Sequence, residues 1–289
     1  MTVQTIDAIR AARPARPARP KPPPPLPHPV ARRRLDLGRP HRLGWLIGPA
    51  LLLVYWAVGA WREAIDPRVL PAPWTVARTT LQLLSQGRLQ ADLAISALRA
   101  GEGLAVGSAA GVALALLSGL TLTGGYVLDG VVQMKRAIPT LALIPLFILW
   151  FGLGETMKTV IISIAVFIPV YVQTHAALRA IDIRHVELAE SVGLDHLGFI
   201  RHVVLPGALP GLLLGLRFAV VAAWGALVVV EQFNATSGVG HMIELARTNA
   251  ETDVILVGLV LYALLGLGSD LAVRAVERRA LGWRRTFAR

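Results

Sequence analysis

Apolar residues in this chain fall in long blocks and do not alternate with polar ones. Six stretches, at about residues 43–61, 93–120, 137–154, 159–178, 207–230 and 254–273, are nearly free of charge. A helix crosses a hydrocarbon layer of roughly 30 Å with about 20 apolar residues, and it satisfies its own backbone donors and acceptors on the way. The pattern predicts an all-α membrane protein with six transmembrane helices, carried by residues 43–280. The charges Arg217 and Asp270 stand inside the fifth and sixth blocks.

Between the fourth and fifth blocks lies a polar segment, IDIRHVELAESVGLDHLGFIRHVVLPGALPG, at about residues 180–206 and beyond. It reads as helix, turn, helix along the membrane surface. Val186, Ala189 and Val192 recur at helical spacing beside Glu187 and Glu190, a face suited to a partner's groove. Gly193 supplies the turn without a side-chain penalty. Pro206 suits the start of the next helix, where a missing donor costs little.

The ends of the chain are polar. Residues 1–42 form a basic, Pro- and Arg-rich tail whose prolines remove backbone donors and fix φ, so disorder is the expectation; a PxxP ligand is the other reading. Arg32, Arg33 and Arg34 before block one resemble a twin-arginine export signal, but that block is long enough to span and more spans follow. Residues 281–289 form a second basic tail. With the amino terminus inside, both tails and Arg179, Arg184 and Arg201 fall on the cytoplasmic side, where positive charge is retained. Residues 62–92, with LPAPW at 70–74, then form an external loop.

Composition excludes more than it adds. Hydrophobic residues make up 54% of the 289, too many for a soluble domain with a polar shell. The net charge of +11 sits in the tails and between blocks, which argues for a membrane protein over a nucleic-acid binder. Without cysteine there is no disulfide framework, thiolate metal site or cysteine nucleophile. The lysines, Lys21, Lys135 and Lys158, are none of them preceded by glycine, so no phosphate-binding loop is present and any nucleotide must be bound by a partner. His185, His196 and His202 lack carboxylates at metal-ligand spacing, and no nucleophile and base arrangement emerges within the blocks.

Glycines 103, 107 and 111, and again 207, 211 and 215, each line one helical face and permit close approach of another helix, in a bundle or a dimer. Arg99 and Glu102, three apart, are expected to pair. Arg217 has two readings, an interior partner or aqueous path, and snorkelling to the nearer surface. Glu231, closing the fifth block, is expected to reach water or cap a gate.

The loop resembles the EAA loop of importer permeases, whose pattern is E-A-A, three residues, G, nine residues, I, one residue, L-P. Glu187-Leu188-Ala189, Gly193, and Val203, Val204, Leu205 and Pro206 fall at those spacings, with apolar replacements at Leu188 and Val203. Further blocks, RAIPTLALIPLFILWFGLGE at 136–155, GLRFAVVAAWGALVVVE at 215–231 and SGVG at 237–240, are similar to the subfamily that imports aliphatic sulfonates, taurine and nitrate. The resemblance implies the type I ABC importer permease fold with both termini cytoplasmic, in a bacterial inner membrane. It implies a second permease copy, two ABC ATPase subunits that bind ATP and Mg, and an extracytoplasmic substrate-binding protein. Glu187, Leu188, Ala189, Gly193, Leu205 and Pro206 would belong to the ATPase-coupling element, and this chain would bind no cofactor and no nucleic acid. A secondary transporter, with interrupted spans and midplane ionisable groups, and a non-transporting scaffold are the competing classes.

Overall fold

The structure, a computed structural model, describes residues 44–283. The tail at 1–42 and the last six residues therefore lie outside the described residues. The chain divides into two units, residues 1–49 and 50–289. In the first, the described residues make a 3-10 turn, Gly44–Leu46, and begin helix α1, Ile47–Trp61.

The second unit, among the described residues, holds helices and turns and no strand. After α1 come α2, Pro73–Ser85; α3, Arg88–Leu120; α4, Leu122–Ala137; α5, Ile144–Phe151; and α6, Glu155–Arg179. They are followed by α7, Ile183–Ser191; α8, His196–Phe199; α9, Leu205–Asn234; α10, Val239–Thr248; and α11, Thr252–Ala280. Four helical stretches, Arg88–Leu120, Glu155–Arg179, His196–Phe233 and Thr252–Ala280, are long and apolar enough to cross a membrane. The 15-residue α1 is shorter, about 22 Å at 1.5 Å per residue.

The expected third span, 137–154, is not one helix. Chain direction turns by 90° between α4 and Thr140–Phe151, and only the two together are long and apolar enough to cross. Pro139 causes the break, because its ring clashes with helical backbone at the preceding residue. Ile138 accordingly takes extended angles, φ −95° and ψ 118°. A 3-10 turn, Thr140–Leu143, leads into α5, and Lys135 Nζ bridges the break to Thr140 Oγ1 at 2.5 Å.

Helix α6 is the central element. Its residues Met157, Ile161, Ile162, Val166 and Val170 are fully buried, as are Ala219, Leu227 and Val230 of α9. Both glycine stripes turn toward it, one from each side. A Cβ at Gly107 would lie 2.8 Å from Val166 Cβ, and one at Gly215 would lie 3.0 Å from the Pro169 carbonyl oxygen. Between apolar helices in lipid there is little hydrophobic drive, so close backbone approach and dispersion supply the packing energy. The stripes thus serve packing within the chain.

Candidate functional site

At the end of the bundle where α6 begins and α9 finishes, charged side chains from distant parts of the chain meet. Ser96 and Arg99 lie three apart on α3, and Arg99 is only 5% exposed. Its guanidinium grips Glu155 with two hydrogen bonds, Nε to Oε2 and Nη2 to Oε1, both 2.7 Å. Nη1 donates to Glu231 Oε1 at 2.8 Å and to the Ser237 carbonyl at 2.7 Å. Lys158, one turn into α6 and also buried, donates to Glu155 Oε1 at 2.7 Å. Here two cations, Arg99 and Lys158, face two carboxylates, Glu155 and Glu231.

Glu231 is 0% exposed. Burying a carboxylate is tolerable only when it is paired and its lone pairs are satisfied. Here Ser96 Oγ lies 2.9 Å from both carboxylate oxygens, Tyr262 of α11 donates at 3.1 Å, and the Gly240 N–H donates at 2.8 Å. Ser96 in turn accepts the Val239 N–H, and Asp92 accepts the Gly238 N–H, both at 2.9 Å. The SGVG segment therefore spends the free amides of the α10 amino terminus here, Gly240 on the carboxylate itself, Val239 on Ser96 and Gly238 on Asp92. Gly238 has φ +107°, and a Cβ there would sit 2.6 Å from Glu231 Cδ, so glycine is required on both grounds. The cluster fastens α3, α6, α9, α10 and α11 to one another. No group of three or more His, Cys, Asp or Glu able to hold a metal occurs among the described residues.

The opposite end of α9 carries the surface segment. Asp182 caps α7 by accepting the Arg184 N–H at 3.0 Å. α7 closes on Gly193, φ +73°, with Gly193 N–H to Glu190 and Leu194 N–H to Ala189 carbonyls, both 3.0 Å. That is a Schellman turn, which needs a left-handed residue at the glycine position. Asp195 caps α8 in the same manner, accepting the Gly198 N–H at 3.0 Å. Between α8 and α9 runs a π-turn, Ile200–Val204. Pro206 explains it: a proline inside a helix lacks an N–H and crowds the carbonyl four residues back, and the wider turn relieves this. Pro206 stands in the first turn of α9, the place the sequence suggested, while helical backbone runs on from α8 into it.

Residues 107–282 match the family described as binding-protein-dependent transport system inner membrane component. This chain belongs to that family.

The permease is 39% identical over 239 residues to a protein of Escherichia coli strain K12 named aliphatic sulfonates transport permease protein SsuC, covering 83% of this chain and 90% of that one. It is 37% identical over 249 residues to the SsuC of Bacillus subtilis strain 168, covering 85% and 90%. It is 34% identical over 239 residues to the taurine transport system permease protein TauC of Escherichia coli strain K12, covering 81% and 87%. Among solved structures, an amino acid ABC transporter superposes with a TM-score of 0.57 at 18% identity, over 71% of this chain and 97% of that one, a likeness of fold.

Within the permease several residues sit differently from their sequence-level expectation. Arg99 does not pair with Glu102, which is exposed and reaches only Thr159 Oγ1 at 3.4 Å. Glu231 is shut away from water. Arg217, partly exposed, pairs with Asp270 of α11 at 3.1 Å, with Glu277 at 3.9 Å. Ala189 is buried against its own chain, whereas Glu187, Leu188 and Val192 are exposed, the two apolar ones at 61% and 70%. Ile183 and Leu197 are exposed as well. Leu205 is exposed and Pro206 half-buried.

Sequence reasoning missed a second polar group. Asp129 of α4 accepts from Ser118 of α3 at 2.7 Å and from Tyr171 of α6 at 2.8 Å, and His175 stacks on Tyr171. The four-residue spacing of Tyr171 and His175 was a readable signal of a shared face. Their partner on α4 was not readable.

Proposed function

We propose that this permease is the membrane-spanning subunit of an ATP-driven importer in a bacterial inner membrane and passes a small anionic solute, an aliphatic sulfonate or taurine. Six spans are formed by α1, α3, the bent pair of α4 and α5, α6, α9 and α11, with both termini cytoplasmic. Two copies surround the pathway, an extracytoplasmic binding protein delivers the solute, and two ABC ATPases holding ATP and Mg dock at residues 180–206. The supporting observation is the continuity of His196–Phe233, which joins the surface segment to the cluster at Glu231. From Leu205 to Glu231 is about 40 Å of helix. A pull on the exposed face of α7 then reaches α9, and α9 carries α3, α6 and α11 with it because Glu231 fastens them. Such a lever transports only if ATPase binding distinguishes its two positions.

Deleting the gene in a strain without a redundant importer should abolish growth on taurine or ethanesulfonate as sole sulfur source, with growth on sulfate unchanged. Normal growth on the sulfonates would refute the substrate class, and a defect confined to nitrate as nitrogen source would move it to nitrate. Because the chain has no cysteine, topology is testable with single introduced thiols. Thr236→Cys should react with an impermeant maleimide from outside intact cells and Ser191→Cys only after permeabilisation. Reaction of both from one side would sink the six-span arrangement.

A further inference from the structure

Near the coupling end, between α9 and α11, a hollow of about 910 Å³ is lined by Pro210, Gly211, Leu214, Arg217, Leu271, Arg274, Glu277 and Arg278 among others. Arg217, Arg274 and Arg278 set three positive charges against Asp270 and Glu277, a surplus of one. Asp270 is taken up by Arg217 at 3.1 Å and by Arg274 at 2.6 Å. Arg278 is exposed, and among the described residues no ion pair of its own is formed.

Two exposed apolar stripes lead into this hollow. On α11, Val260, Leu264, Leu267 and Leu271 follow one another at spacings of four, three and four residues, all 44–58% exposed. On α9, Leu214, Phe218 and Val221 do the same at four and three. Leu271 and Leu214, the last member of one stripe and the first of the other, line the hollow itself. Basic charge at the end of two spans, continued by apolar strips along them, is the division of an anionic lipid: a phosphate head and two acyl chains.

We propose that this hollow binds one anionic phospholipid, its phosphodiester recognised by the guanidinium groups of Arg274 and Arg278 and its acyl chains lying along the two stripes. The single surplus charge favours a lipid of net charge −1 over a zwitterionic one. A free anion would make no use of the stripes. The proposal rests on the reading that α9 and α11 cross the membrane, which the thiol labelling tests separately.

The test uses the purified full-length permease in mild detergent with equal amounts of phosphatidylglycerol and phosphatidylcholine, retained lipid being counted by native mass spectrometry. Phosphatidylglycerol should be retained at least about fivefold over phosphatidylcholine, the factor expected of one basic residue at a lipid surface. Arg278→Gln should remove that preference, Arg278→Lys should keep most of it, and Arg279→Gln, on the neighbouring helical face, should leave it intact. Unchanged melting temperatures keep the comparison free of misfolding. Equal retention of both lipids, or loss of the preference in Arg279→Gln as well, overturns the site. Displacement by glycerol 1-phosphate at equal concentration would make it a free-anion site and overturn the lipid assignment. If Arg278→Gln instead splits a permease dimer while lipid retention holds, the hollow is an interface between copies and the proposal falls.

Discussion

Arg99→Met is expected to destabilise the permease by about 3–5 kcal/mol, because it strands the Glu231 carboxylate in a site with no access to water. The companion Glu231→Gln should cost less. Arg99 would then keep its bidentate pair with Glu155, which is 60% exposed, and the amide would keep part of the Ser96 and Tyr262 contacts. The informative variant is the double one. With the charge at 231 gone, Arg99→Met no longer leaves an unpaired ion, so the double variant should be more stable than Arg99→Met alone, by about 1–3 kcal/mol. Chaotrope unfolding of the four proteins in detergent, at matched membrane insertion, measures the cycle. Strictly additive effects would mean that Arg99 and Glu231 are not coupled, and the rigid connection between the two ends of α9 would lose its fastening.

That cluster also marks how far a sequence can be read. Several members stood in segments noticed for their pattern: Glu155 closes FGLGE, Glu231 closes VVVE, and SGVG runs into the first turn of α10. Their mutual contacts did not follow. The pairing of Arg99 with Glu102 used the only geometry sequence offers, neighbours three apart on a helix. The actual partners lie 56 and 132 residues away, and only the packing of α3, α6 and α9 brings them within reach. A buried arginine shared by a bidentate partner and a fully buried carboxylate then outweighs an exposed local pair, since water screens the latter.

The apolar blocks, by contrast, were legible because chain composition fixes what can sit in lipid. The third failed at a readable place, since Pro139 and Pro145 both stood inside it. Gly193 was legible for a physical reason: a glycine between two short helical patterns marks the left-handed turn, and φ +73° is what the Schellman geometry asks. Which side of α7 faces outward was not legible. A short amphipathic helix shows two apolar flanks, and the sequence cannot say which one its own chain covers. Ala189 went inward and is buried.

The exposed flank therefore carries the sharper test of coupling. Leu188→Asp changes a residue that is 61% exposed, so the permease should insert and melt as before. If that flank lies in an ATPase groove, the new carboxylate is buried there without a partner. At about 3 kcal/mol the affinity should fall roughly a hundredfold, and co-purification with the ATPase should fail. Ala189→Asp makes a poorer probe, because the charge would be buried in the permease itself and unfold α7 before any partner arrived. Gly193→Val acts differently again. Nothing lies within 4 Å of a Cβ at this position, so the cost is backbone strain alone, about 1–3 kcal/mol for a β-branched residue held at positive φ. α7 should then tilt relative to α8 while its apolar flank survives. The expected outcome is a complex that still assembles but turns over ATP with little uptake, measured in reconstituted vesicles. Wild-type docking and transport in both variants would mean that force does not enter through α7, and the route along α9 to Glu231 would have to be abandoned.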